Sequence, residues 1–196
     1  MPLSDKPKTG PANAGNKFEI VRIDESRKKD VDLPNEPFPL SGKLHVYRDE
    51  NGWRTEAEYF PEDKITEMCF PDENYIFEEM KNDIFLGAYQ NGVCIGLAVL
   101  KPGFFRYLYL YDLKVNRAYR KFHVGKALIG KAKEIALSMG YLGIYTQGQD
   151  NNLGACLFYL KSGFVVGGLD TNLYKGTPQE GKSDVIFYLD CSPSAR

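Results

Sequence analysis

Asn152, Ala155 and Tyr159 stand three and four residues apart, so on a helix they share one face. That face offers an amide, a methyl and a phenol. The amide can hydrogen-bond a peptide-like arm, the methyl lets that arm come close, and the phenol can give a proton to a leaving thiolate. A core tyrosine with a satisfied hydroxyl is the ordinary reading of Tyr159 taken alone. The second group is Arg120-Lys121-Phe122-His123-Val124-Gly125-Lys126-Ala127. It stands where a helix begins, and the first turn of a helix has backbone N–H groups with no internal acceptors. Such a turn is an anion site that suits a pyrophosphate. Arg120 and Lys121 add positive charge, and Gly125 permits close approach of a ligand or of the next element. An ordinary helix start with a basic surface has the same signature.

The elements around these residues follow from periodicity. Ile84 to Tyr89, Val93 to Leu100 and Tyr107 to Val115 read as an antiparallel meander, turned at Gln90-Asn91-Gly92 and Lys101-Pro102-Gly103. The period then changes: Leu128, Ala132, Ile135 and Met139 predict one face of a helix ended by Gly140. Leu142 to Thr146 is a strand expected to run parallel to its predecessor across that helical crossover. Leu153, Cys156, Leu157 and Leu160 form the next apolar stripe, ended by Gly163, and Phe164 to Val166 and Val185 to Leu189 close the pattern.

Upstream, Phe18 to Ile23 alternates weakly as a first strand, and Glu25 to Asp30 is a charge run read as a solvated helix or loop. Three prolines between Leu33 and Pro39 exclude a helix and a central strand. Asn51-Gly52 between Lys43–Arg48 and Trp53–Tyr59 signals a hairpin. Asp72 to Lys81 is expected to be a short helix, with Asp72 and Glu73 at its positive end. Residues 1–16, rich in Pro, Gly, Lys and Asn, are expected to be a mobile tail before a single domain over 17–196.

The whole chain has 196 residues, 43% hydrophobic and 13% aromatic, enough for one buried core. A formal net charge of -1 gives no overall field toward nucleic acid or an anionic membrane. No run approaches the ~18 apolar residues of a membrane span, and the first residues lack the apolar core of a signal peptide, so the cytoplasm is the expected location. The four cysteines form no CxxC pair and the only histidines are His45 and His123, which argues against a zinc site. The cysteines are read as small, mostly buried apolar residues.

Arg120 to Ala127 resembles the acetyl-CoA loop of the GNAT superfamily, Arg/Gln-x-x-Gly-x-Gly/Ala, with His123 where the first glycine usually stands. Asn152-Leu153-Gly154-Ala155-Cys156-Leu157-Phe158-Tyr159 with Gly163-Phe164 resembles that superfamily's Asn-x-x-Ala-x-x-Phe-Tyr…Gly-Phe helix. The segments Asn35–Phe38, Gln149–Asn152 and Gly167–Tyr174 are similar to those of streptothricin acetyltransferases, over about Asp32 to Leu189. Two carboxylates usual in that group are replaced, in the pairs Tyr111-Asp112 and Gln147-Gly148.

The resemblance implies an α+β GNAT fold: a central mixed, mostly antiparallel sheet flanked by helices, with a V-shaped splay between the two central strands. It implies transfer of acetyl from acetyl-CoA to a primary amine of a small cation, streptothricin-like, by a monomer or homodimer using no metal. A peptide-amine acetyltransferase and a non-catalytic acyl-CoA-binding module are the rival readings. Acetyl-CoA would lie on Leu113, Lys114 and Val115, on Arg120 to Ala127, and against Asn152, Ala155, Phe158 and Tyr159. Tyr159 would be the general acid and Asp112 the base, with Tyr111 its rival, while a backbone N–H of Leu113 to Val115 meets the developing oxyanion. Glu36, Asp112, Gln149 and Asp170 would hold the cationic acceptor.

Overall fold

The computed structural model describes residues 17–103 and 105–191, so the tail expected over 1–16 lies outside the described residues. The first strand, β1 (Glu19–Arg22), is followed by a 3-10 segment, Glu25–Asp32, that Asp24 caps by accepting from the Ser26 N–H. The proline-rich stretch gives only a short ribbon, β2 (Phe38–Leu40), which pairs with β5 (Thr66–Met68). Between them the Asn-Gly signal yields a full hairpin, β3 (Gly42–Asp49) and β4 (Gly52–Tyr59). Gly52 sits at φ +112°, a backbone state that favours glycine.

The meander forms as expected: β6 (Ile84–Gln90), β7 (Val93–Lys101) and β8 (Tyr107–Val115). Helix α1 (Val124–Ser138) then crosses to β9 (Gly143–Gln149), which is parallel to β8. Helix α2 (Leu153–Lys161) leads to β10 (Val165–Asp170) and β11 (Asp184–Asp190). The main sheet has seven strands in the order β1-β6-β7-β8-β9-β11-β10, with β8–β9 its parallel pairing. This is a mixed, mostly antiparallel α+β architecture.

Both helices bury their stripes on one face of this sheet. Leu128, Ala132, Cys156 and Tyr159 join Leu108, Leu110, Ile144 and Phe187 in the main core. The stripe on α1 differs at its end. Met139 is the helix C-cap and is exposed, because Gly140 turns left-handed at φ +81° and ends the helix there. The cysteines also divide: Cys94 and Cys156 are buried, Cys191 is half-buried and Cys69 is exposed.

The helix expected over Asp72 to Lys81 does not form; the segment is a series of turns. Its aromatic residues decide this. Tyr75 and Phe77 pack on Phe85 of β6, and with Ile23 and Val31 they cover the opposite face of β6 and β7, where Leu97 and Val99 lie. Seating two aromatics two residues apart on one flat sheet suits an extended or turning backbone, whereas a helix would point them apart. Among the described residues, the second face of β8, β9 and β11 carries no helix. No helix among the described residues is long and apolar enough to cross a membrane.

Candidate active site

Strands β8 and β9 are paired only at Tyr107↔Gly143, Leu108↔Ile144 and Tyr109↔Tyr145. Beyond Tyr109 they part, and the Thr146 hydroxyl, donating to the Leu110 carbonyl at 2.9 Å, bridges the start of the gap. A bulge in β8 at Tyr111 shifts its register against β7 and adds local twist. The Asn116 N–H bonds to the Ile95 carbonyl of β7. Alternation along an antiparallel strand therefore turns the N–H and C=O of Leu113 and Val115 away from β7 and into the gap. The Val115 carbonyl accepts from Arg120 Nε at 3.0 Å, in keeping with its lying off the β7 ladder.

Tyr159 reaches this gap from the helical face. It is 8% exposed, ringed by Phe158, Phe164 and Phe187, and its hydroxyl lies beside that of Thr146. Burial first, and the charge of Asp112 after it, push its hydroxyl up to about 12, while Thr146 opposes the rise. The phenol therefore holds its proton at neutral pH. Asp112 comes from the other face, and its Oδ2 takes Tyr75 Oη at 3.0 Å and Lys114 Nζ at 3.1 Å. Both contacts fall on one oxygen, which leaves Oδ1 for a further donor. Tyr111, the rival base, has its ring covered by Lys101 Nζ at 3.6 Å. Burial and the neighbouring carboxylates of Glu73 and Asp112 raise its hydroxyl above the ordinary value. A phenol harder to ionise offers less phenolate as a base at neutral pH, which favours Asp112.

At the start of α1, His123 is left-handed at φ 64° and Lys121 at φ 71°. This is the state a glycine adopts freely, which explains why a loop of this kind prefers glycine at the position of His123. The His123 side chain makes no capping hydrogen bond to α1. Lys121, Phe122, His123 and Lys126 are exposed and Val124 is buried. Gly125 serves the next element: an added Cβ would come within 3.0 Å of the Phe158 ring. Ala127 donates to the His123 carbonyl in the first regular helical bond. On α2, Asn152 caps the helix by accepting from the Ala155 N–H at 3.2 Å, and its Nδ2 stays free for an arm.

Arg120 departs from the expected phosphate-side role. Its guanidinium donates to the carbonyls of Val115, Pro37 (2.8 Å) and Glu36 (3.2 Å). It fastens the proline-rich stretch to the end of β8. Glu36 is engaged in the same place, accepting from the Arg117 N–H and pairing with Arg120. Replacing Arg120 with Ala removes three hydrogen bonds to carbonyls, a loss of ~2 kcal/mol. A fall of about 6 °C in melting temperature by scanning calorimetry is the expected result.

Gln149 and Asp170 stand farther along the open face. Asp170 accepts from the N–H groups of Asn172 and Leu173, and Gln149 is 6% exposed. Sequence reading missed their neighbours. Tyr107, Tyr109, Tyr145 and Tyr188 form a stacked and edge-packed row, with Tyr109 Oη donating to Gln147 Oε1 at 2.8 Å. Asp184 is buried and accepts from Tyr174 Oη at 2.9 Å. Alternation through Tyr107, Tyr109, Tyr145 and Tyr188 was the available signal, since residues two apart share a face.

Residues 47–164 match the family model described as the acetyltransferase (GNAT) family. The chain belongs to the GNAT acetyltransferase family. It is 35% identical over 172 residues to streptothricin acetyltransferase A of Bacillus subtilis (strain 168), covering 86% of this chain and 98% of that protein. Among solved structures, a candidate streptothricin acetyltransferase from Bacillus anthracis str. Ames, solved with acetyl coenzyme A, superposes with a TM-score of 0.77 at 30% identity. That match covers 89% of this chain and 99% of the other. A nourseothricin acetyltransferase gives 0.73 at 24% identity over 89% and 99% of the two chains, a likeness of fold.

A GNAT enzyme is an acetyl-CoA-dependent N-acetyltransferase, and the gap fits that co-substrate. The outward amides of Leu113 and Val115 can pair with a pantetheine arm as a strand would. The free Asn152 amide faces the same need. The unpaired first turn of α1, flanked by exposed Lys121 and Lys126, suits the pyrophosphate. Among the described residues, no group of His, Cys, Asp or Glu is arranged to hold a metal ion.

Proposed function

We propose that this GNAT enzyme acetylates a primary amine of streptothricin or a closely similar small cation, and so inactivates it as an antibiotic. The reading of the acceptor is supported by likeness to the Bacillus subtilis enzyme over 98% of its length. The structural observation that carries the reaction is the meeting of Tyr159 and Asp112 at one gap from opposite faces of the sheet.

Bound in the gap, acetyl-CoA supplies an acetyl group activated as a thioester. Asp112 Oδ1 accepts the acceptor's ammonium proton, through water, since an ammonium has no lone pair to attack with. The Leu113 N–H is aimed into the gap, where it stabilises negative charge on the carbonyl oxygen. Tyr159 Oη gives its proton to the departing thiolate and regains one from the attacking nitrogen as the amide forms, a step that suits a phenol held protonated. Lys114 and Tyr75 orient Asp112. Val115 and Asn152 align the arm. We read the site of action as the cytoplasm, with no role for nucleic acid or membrane.

Mixing the protein with acetyl-CoA and streptothricin tests this. Free thiol should appear in step with a mono-acetylated product seen by mass spectrometry. Thiol release with peptide amines but not with streptothricin would overturn the acceptor assignment.

A further inference from the structure

Asp184 stands in register between Gln149 of β9 and Asp170 of β10. Cross-strand partners share a face, so the three side chains form one row across three strands. It is the face opposite α1 and α2, because Val185, Phe187 and Leu189, which alternate with Asp184, point into the main core. Two like charges set directly opposite in a sheet destabilise it. Here they are joined by a third, since the charge of Asp150 also bears on Asp184.

The row is also short of donors, although Asp170 Oδ1 accepts from the Asn172 and Leu173 N–H groups. Gln149 is 6% and Asp150 3% exposed, yet Gln149 Oε1 and Asp150 Oδ1 have no hydrogen-bond partner. Tyr174 Oη, on the segment that joins β10 to β11, is the donor to Asp184. Among the described residues, the cation recorded in an ion pair with this group is Lys43, on Asp150 Oδ2 at 3.1 Å. Burial and the neighbouring Asp170 and Asp150 raise the Asp184 carboxyl, against the pull of Tyr174, as expected of acids short of positive charge.

We propose that Gln149, Asp170 and Asp184 bind a second ammonium group of the acceptor, distinct from the amine that is acetylated. An ammonium brings three donors and one positive charge, which is what the row lacks. Thr146, beside the Tyr159 hydroxyl, is three residues before Gln149, or ~10 Å along a strand. The acceptor is therefore a chain with two cationic groups at least ~10 Å apart, the reacting one at the gap and the other on this row. This rests on the reading of the protein as an acetyltransferase of a small cation.

Asp184→Asn and Asp170→Asn test it, with steady-state rates and melting temperatures measured together. Asp184→Asn should raise KM for streptothricin about tenfold, the loss of one charged hydrogen bond. The effect should fall on KM rather than kcat, leave KM for acetyl-CoA unchanged, and shrink as salt screens the wild-type attraction. Asp170→Asn, on a more exposed residue, should act in the same direction and carries the test if Asp184→Asn does not fold. A purely structural row predicts the reverse: relief of repulsion, an equal or higher melting temperature and an unchanged KM, and that result overturns the proposal. Failure of the wild-type protein to acetylate streptothricin would instead refute the acceptor assignment. Spermidine binding by calorimetry then decides. Binding weakened in Asp184→Asn supports the subsite, and equal binding, or none to the wild type, overturns it.

Discussion

Tyr159→Phe is expected to lower kcat by roughly 10²-fold or more while leaving KM for acetyl-CoA near the wild-type value. The substitution keeps the ring and its contacts with Phe158, Phe164 and Phe187, and removes one hydroxyl. The Thr146 hydroxyl keeps its bond to the Leu110 carbonyl, so no buried donor is stranded. Stability should therefore change by less than ~1 kcal/mol. The hydroxyl acts on charge that appears only as the thiolate departs, which is why the loss falls on kcat. Because burial holds this phenol near 12, kcat of the wild-type enzyme should show no basic limb from it below about pH 10. Full activity in a well-folded Tyr159→Phe protein would falsify the assignment.

Asp112→Asn is the second large effect, and its signature is in the pH profile. The amide keeps an oxygen for the Tyr75 hydroxyl but cannot take a proton. At neutral pH the rate should fall by ~10²-fold or more, because nearly all of an aliphatic amine with pKa ~10.4 is protonated. The neutral fraction of that amine grows tenfold with each pH unit. The deficit should therefore shrink as pH rises toward 10. A role in orienting Lys114 or Tyr75 alone predicts a deficit that is constant with pH. Steady-state rates of both proteins from pH 6 to 10 separate the two, and a constant ratio would exclude Asp112 as the base.

Much of this could be read from the chain before the structure was in hand. The meander, both helices and the parallel crossover follow from apolar spacing, and the spacing of Asn152, Ala155 and Tyr159 put the chemical groups on one helix. What local pattern could not show depends on register. Gln149, Asp170 and Asp184 lie on three strands, and only the β9-β11-β10 pairing aligns them. The failed helix at Asp72 to Lys81 is a tertiary effect, since Tyr75 and Phe77 gain more by lying on Phe85 than a short helix gains by itself. Arg120 was legible as a cation but not as an anchor, because its carbonyl partners Glu36 and Pro37 lie more than eighty residues earlier in the chain.

The parting of β8 from β9 has a consequence for the empty enzyme. A sheet is protected in its middle and vulnerable at its rims, and this one carries an extra rim at its centre. The amide protons of Leu113 and Val115, on a central strand, should trade with solvent deuterium as fast as those of an outer strand. The co-substrate's arm then behaves as a missing eighth strand, and its arrival should slow that exchange. Before it arrives, the same rim offers ladder groups to any extended chain that reaches it.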